Sequence, residues 1–397
     1  MLVAYHLARA VLPSYTSKFS RHDFALPQLF ACLVVMEQQK RSYRGGEALL
    51  RDGEQWCRAI GMTKAPDHNT LWRAASILSR KCKVKRLLDA MARWAAVHRA
   101  LGLSQKPLAL DSSAYEPRHV SRYFEFRRGR GGGNRGRRSK IKAMPRLGLA
   151  IASSAHLILS LWTGTGGGAD YALFEPLVFD AWRRVPHRSF TVVADAGFDC
   201  EDNHRTARLD MGLRSIIPSR VAWKTRKPPT SYWRRRMTRR DVLGSKRSRR
   251  RCGYTQRWQV ETVNSMIKRN LGSALRGRSR RTREQHLRLK VLTHNVMIIM
   301  RQIKGRDRAR QSRSDSSRGT RCASDAKRGD TWRLLMKLLE IESLRKFRTQ
   351  APKRVGNKMG PAARRSFHVK SWKPSVNRKM RSRVAVLATC RRRSART

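Results

Sequence analysis

Apolar residues recur at helix-like spacing through the first quarter of the chain. Leu26 to Met36 is an apolar stretch preceded by the polar cluster at Arg21–Asp23. Glu47 to Ile60, Thr70 to Leu78 and Leu87 to Leu101 follow with the same period. Pro66 breaks the pattern, and Asn69 and Thr70 are the candidate caps of the next helix. Residues 1–100 therefore read as a helical N-terminal domain. From Pro107 the apolar runs shorten. Leu108–Leu110 runs into Asp111, and Leu147–Ser153 and His156–Trp162 flank a polar turn at Ser154–Ala155, as in a hairpin. Ala172–Trp182 has helical spacing, Phe190–Ala194 is strand-like and ends at Asp195, His204–Met211 is helical, and Leu213–Pro218 is another strand. A long helical region covers Thr255 to about Ile303, interrupted near Gly272–Arg283. This order predicts an α/β domain over 107–305, with one mixed sheet flanked by helices.

Two basic insertions interrupt that domain, at 127–140 and at 224–251, and both are expected to be mobile loops in the absence of nucleic acid. Residues 306–397 are rich in Arg, Ser, Lys and Gly and read as a largely disordered basic tail, apart from a helical patch at Thr331–Phe347.

Charge narrows the choice of partner. The chain has 397 residues, with Lys+Arg 89 against Asp+Glu 27 and a formal net charge of +62. Such a field points to a polyanion, because each cation placed near a phosphate releases condensed counterions. A ribosomal or chromatin-like packing protein would satisfy the charge equally well. Short helices on a basic N-terminal module suit DNA binding, although no helix-turn-helix stands out, and plain helical packing suits the pattern at least as well. Hydrophobic residues make up 40%, enough for a core. No run approaches the ~18 apolar residues of a membrane span. Met1 to Pro13 carries His6 and Arg9 and reads as mature protein rather than a signal peptide. The seven cysteines are widely spaced without a C-x-x-C, so neither disulfides nor zinc are expected, and a cytoplasmic, nucleoid-associated location is.

Candidate chemistry rests on three acids. Asp111 and Asp195 each close an apolar run, where side chains of an α/β sheet meet the site-forming loops. Taken alone, each is more often a turn former or a helix cap. Glu261 lies in YTQRWQVETVNSMIKR, with Tyr254, Arg257 and Lys268. At ~100° per residue, these four fall within an arc of roughly 60° on one helix stripe. An exposed Arg257–Glu261 pair would explain part of that stripe without any chemistry. Three carboxylates also suit two divalent ions, Mg²⁺ or Mn²⁺, with cations nearby for the phosphate backbone. Glu116, Asp170, Asp199, Glu201 and Asp202 compete for the same role, Asp199 most closely.

At these residues the chain resembles the DDE-type transposases of bacterial insertion sequences, in the group marked by a Y-x2-R-x3-E-x6-K signature. Tyr254, Arg257, Glu261 and Lys268 match its four positions. The segments DSSAYEPRHVSRYF, VVADAGFDCEDNHRTARLDMGLRSIIPS and YTQRWQVETVNSMIKRNLGSALRGRS resemble the three catalytic blocks, and PQLFACLVVMEQQKRSYRGGEALL and DHNTLWRAA the N-terminal region. The resemblance spans roughly residues 15–303. It implies a ribonuclease H-like core in which Asp111, Asp195 and Glu261 hold the metal ions and do catalysis. It further implies that Tyr254, Arg257 and Lys268 contact DNA near the cleavage site. The expected partners are terminal inverted repeats and target DNA, engaged by a DNA-bound dimer. The Gly/Arg-rich loop at 127–140 and the tail depart from the pattern. A non-catalytic DNA-binding protein, a decayed copy and a metal-dependent nuclease of the same fold are the alternatives.

Overall fold

The computed structural model describes residues 1–19, 21–98, 107–118, 144–166, 168–185, 190–220 and 229–316. The insertion at 127–140 and the helical patch at 331–347 lie outside the described residues.

Among the described residues six helices open the chain: α1 (Leu2–Arg9), α2 (Leu26–Gln38), α3 (Tyr43–Asp52), α4 (Glu54–Arg58), α5 (His68–Leu78) and α6 (Lys81–Val97). Most of α2 is buried, and its start is fixed by Gln28. The Gln28 side chain accepts from Ala25 N at 2.8 Å and donates to the carbonyls of Ile60 and Gly61 at 3.1 and 3.0 Å. The expected single stretch from Glu47 to Ile60 is split at Gly53 into α3 and α4. Helix α5 starts earlier than expected. Its cap is Asp67, whose Oδ1 accepts from Thr70 N at 2.7 Å, rather than Asn69 or Thr70. A carboxylate accepts from a first-turn N–H more strongly than an amide or hydroxyl does.

The strands and remaining helices are β1 (Leu108–Ala114), β2 (Glu116–Pro117), β3 (Pro145–Ala152), β4 (Leu157–Thr165), α7 (Tyr171–Arg184), β5 (Thr191–Val193), α8 (Glu201–Arg205), β6 (Arg214–Ile216), α9 (Tyr232–Met237), α10 (Lys246–Arg251), α11 (Trp258–Leu271), β7 (Ala274–Leu275) and α12 (Arg280–Ser316). Five strands form one sheet in the order β4-β3-β1-β5-β6. β1, β3 and β4 are antiparallel neighbours, whereas β1, β5 and β6 run parallel. This is the mixed sheet flanked by helices that the alternation predicts.

Period-two alternation sorts the two faces. Leu108 and Leu110 pack in the cluster that holds Leu173, Phe174 and Leu177 of α7, and that cluster runs on into the N-terminal helices. Ala109 packs with Val193, Ile216 and the α11 residues Val260, Val263 and Ile267. Asp111, in step with Ala109, belongs to the α11 side. The outer strand β4 is held by Asn295 of α12. Its Nδ2 donates to Ile158 O at 2.8 Å and its Oδ1 accepts from Ile158 N at 2.9 Å. The clamp sits beside the register shift between β3 and β4.

Two expectations of disorder are corrected. Residues 229–251, expected to be part of a mobile loop, form α9, a π-helical turn at Arg240–Gly244, and α10. Met237, Leu243 and Cys252 are buried against the α11 face of the sheet. Helix α12 also continues past Gly305 to Ser316, so the start assigned to the tail is helical. Among the described residues no helix is long and apolar enough to cross a membrane.

Candidate active site

The β1–β5 register is what brings the two aspartates together. Leu108 pairs with Val192 and Ala109 with Val193. Continued by two residues, the same register sets Asp111 level with Asp195. Parallel partners project to one side, so both carboxylates belong to the α11 face, at the C-terminal end of β5. β1 itself does not end at Asp111. It stays paired with β3 through Ala114, where Ala114 faces Arg146. The apolar run stops at Asp111 because β5 stops pairing with β1 there, and burial along β1 falls off from that point.

Asp195 is also a turn former. Its Oδ1 accepts from Gly197 N at 2.8 Å and caps the 3-10 turn Ala196–Phe198. Glycine is needed at 197. A Cβ there would lie 2.8 Å from Asp195 Oδ1 and 2.9 Å from Asp170 Oδ2.

Glu261 stands in the first turn of α11, half exposed, with Arg257 Nη2 2.6 Å from its Oε1. The predicted single helical stripe is broken at its start, because Tyr254–Arg257 is a 3-10 turn and α11 begins at Trp258. Lys268 lies two turns further on, half-buried, with Nζ 5.1 Å from the centre of the Tyr115 ring.

Asp111 feels Asp195, Glu261 and Arg257. Burial, followed by the charges of Asp195 and Glu261, pushes its carboxyl up to about 6, against the Ser112 backbone N–H and Arg257. Asn264, one turn beyond Glu261, donates from Nδ2 to Asp111 Oδ2 at 3.2 Å. The Asn264 amide oxygen is buried and has no protein hydrogen-bond partner.

Three of the competing acids, Asp199, Glu201 and Asp170, have other work. Asp199 is fully buried and receives Arg234 Nε and Nη2 at 2.8–3.0 Å, together with Arg220 N at 2.8 Å. Glu201 accepts from the N–H groups of Trp233 and Arg234, both at 3.1 Å, at the start of α9. Asp170 pairs with Arg146 and accepts from Ser112 Oγ at 2.5 Å. Asn264 and Gly197 were not singled out from the sequence. The Asp-x-Gly of DAGF is an Asx-turn signal for Gly197. Asn264 offers only a polar residue at i+3 from Glu261.

Among the described residues no group of three or more His, Cys, Asp or Glu is gathered closely enough to hold a metal ion. The donor set nonetheless suits a divalent cation. It consists of hard carboxylate oxygens in mutual repulsion, beside a buried amide oxygen that lacks a partner.

Residues 108–296 match the family model described as Transposase DDE domain. This match supports membership of the segment in the DDE transposase superfamily. The match opens at the first residue of β1 and closes within α12, so it contains Asp111, Asp195 and Glu261. No curated protein matches the chain. Among solved structures, the chain is similar to a piggyBac transposase synaptic complex with hairpin DNA, determined by cryo-electron microscopy, at 13% identity. That similarity covers 88% of this chain and 78% of the other, with a TM-score of 0.37.

Proposed function

We propose that this chain is an insertion-sequence transposase of the Y-x2-R-x3-E-x6-K group, which cuts and joins DNA strands at the element's ends. The observation that carries the proposal is the parallel β1–β5 register, which sets Asp111 level with Asp195 on the face covered by the Glu261 helix, inside the segment that matches the DDE domain. Asp111, Asp195 and Glu261 would hold Mg²⁺ or Mn²⁺. Two such ions supply Lewis acidity to both the attacking and the leaving oxygen of a phosphodiester. Asn264 orients Asp111 through the Nδ2–Oδ2 hydrogen bond. Gly197 N fixes the rotamer of Asp195. Tyr254, Arg257 and Lys268 bind the DNA backbone. The N-terminal helices 1–100 bind the element's end, and the enzyme works as a DNA-bound dimer. The division between the N-terminal helices 1–100 and a catalytic domain that begins at 107 belongs to the same proposal.

The test is a metal titration on a labelled terminal-repeat duplex, with nicking and gel shift scored on the same samples. Asp111→Ala, Asp195→Ala and Glu261→Ala are each expected to abolish nicking while binding stays level or tightens, since each removes negative charge. Arg257→Ala and Lys268→Ala are expected to lower the salt dependence of binding by about one phosphate contact each. Wild-type protein that binds the duplex and never nicks it, in Mg²⁺ or Mn²⁺, would put the non-catalytic DNA-binding reading in its place.

A further inference from the structure

One side chain beside the carboxylates carries a polar atom that the fold leaves without a protein partner. Val260, Val263, Asn264 and Ile267 stand at i, i+3, i+4 and i+7 on α11, and all four are buried. Asn264 thus takes a place in an otherwise apolar stripe, and it is 6% exposed. Its Nδ2 donates to Asp111 Oδ2 at 3.2 Å. Its Oδ1 is buried and accepts no hydrogen bond from the protein. An amide oxygen buried without a partner costs free energy that a leucine at the same place would not. A stripe position held by an amide therefore calls for a group that satisfies Oδ1.

The orphaned oxygen cannot be far from Asp111. Oxygen and nitrogen of one amide are about 2.3 Å apart, so Asn264 Oδ1 lies no more than about 5.5 Å from Asp111 Oδ2. Two oxygens that share one octahedral Mg²⁺ are about 3 Å apart at a right angle and about 4 Å apart across the ion. The span admits one cation between the two residues while Nδ2 keeps its hydrogen bond. Charge explains why the position suits an amide rather than an acid. The charges of Asp195 and Glu261 already oppose that of Asp111. A further carboxylate would add to that repulsion, whereas an amide carbonyl offers a hard oxygen without a charge.

We propose that Asn264 is an oxygen ligand, through Oδ1, of a divalent cation held by Asp111, in addition to its hydrogen bond to that carboxylate. The proposal rests on reading Asp111, Asp195 and Glu261 as a cation centre, and it adds a neutral donor one turn beyond Glu261. The two amide atoms divide two tasks between them. Nδ2 aims Asp111, and Oδ1 binds the ion.

The test uses the full chain without DNA, and Mn²⁺ as the probe. Asparagine is labelled with carbon-13 at the side-chain carbonyl, and electron–nuclear double resonance reads the coupling of bound Mn²⁺ to that carbon. Wild type is expected to bind Mn²⁺ with a resolved coupling, which needs no variant to be seen. Asn264→Ala should lose the coupling and bind Mn²⁺ more weakly by about tenfold or more. Asn264→Asp keeps an oxygen and loses the N–H donor. It should lose the labelled coupling yet hold Mn²⁺ at least as tightly as wild type. Asp111→Ala should abolish both binding and coupling, and circular dichroism checks that each variant is folded. Mn²⁺ binding that depends on Asp111 but shows no coupling to asparagine would overturn the proposal and leave the carboxylate centre standing, with a water on Oδ1. A coupling that persists in Asn264→Ala would overturn it too, because another asparagine would then be the ligand. So would an Asn264→Asp variant as weak as Asn264→Ala, since the hydrogen bond alone would then explain the residue. Wild-type protein with no Asp111-dependent Mn²⁺ binding would sink the centre and the proposal together.

Discussion

Replacing Glu37 should show how the helix that carries Glu261 is held in place. Glu37 of α2 lies 2.8 Å from Lys290 Nζ, and both side chains are 1% exposed. His286 Nε2 lies 3.0 and 3.1 Å from the two Glu37 oxygens. Lys290 also donates to the carbonyl of Leu271, the last residue of α11. Burial alone would raise the Glu37 carboxyl. His286 and Lys290 overcome that and hold it at about 2, against an ordinary value of 4.5. Removing one partner of a buried pair leaves the other charge uncompensated, at about 3–5 kcal/mol. Glu37→Met should therefore lower the urea midpoint by at least about 1 M, followed by far-ultraviolet circular dichroism. The double variant Glu37→Met/Lys290→Met removes both charges and should recover to within about 1 kcal/mol of wild type. The pH dependence follows from the depressed carboxyl. Its contribution is complete above about pH 4.5 and is lost as pH falls through about 2. Wild type and Glu37→Met should thus converge in stability across that window. A double variant that is as unstable as the sum of its singles, or a gap that persists at pH 2, would refute the pairing account.

Three further outcomes are expected. Asn295→Ala frees both backbone groups of Ile158 on the outer strand, and should cost about 1–3 kcal/mol and speed hydrogen exchange at the Ile158 amide. Asp199→Ala strands Arg234 and unpins α9, so limited trypsin digestion should cut within 229–251 faster while the sheet amides stay protected. Asn264→Ala should slow nicking about 10- to 100-fold with duplex affinity unchanged, because it removes a hydrogen bond that orients Asp111 rather than a phosphate contact.

Periodicity made the sheet legible. Leu108–Leu110, the hairpin flanks and the strand before Asp195 alternate or run apolar as buried strands must, and the break near Gly272 appears as the short β7 between two helices. Long-range polar contacts were hidden. α9 and α10 carry almost no apolar stripe, and their order comes from Asp199 and Glu201, some thirty residues earlier, together with Met237, Leu243 and Cys252. Composition placed the start of the tail too early, because a helix already nucleated by packing continues through polar residues at little cost, and α12 crosses Gly305 in that way. Within the site, the level of Asp111 and Asp195 depends on strand order, which spacing along the chain does not contain. Asn264 looked like any polar residue on a helix until β1 was set beside it.

Glu261 owes its position to three separate restraints on one helix. Val260, Val263 and Ile267 are fully buried against the sheet, which fixes the rotation of α11. A slip by one residue would turn the helix by ~100° and carry Glu261 off the face shared with the aspartates. Asn264 and Asp111 tie the helix to β1 at the level of the carboxylates. Lys290 ties its last carbonyl to Glu37 of α2, so the N-terminal helices take part in setting the far end. Rotation, height and the distal end are thus set by apolar packing, a hydrogen bond and a buried ion pair respectively. The half-exposed Glu261 side chain, held by Arg257, is the freest of the three carboxylates. Its backbone is firmly placed, so its carboxylate can change rotamer without any movement of the sheet.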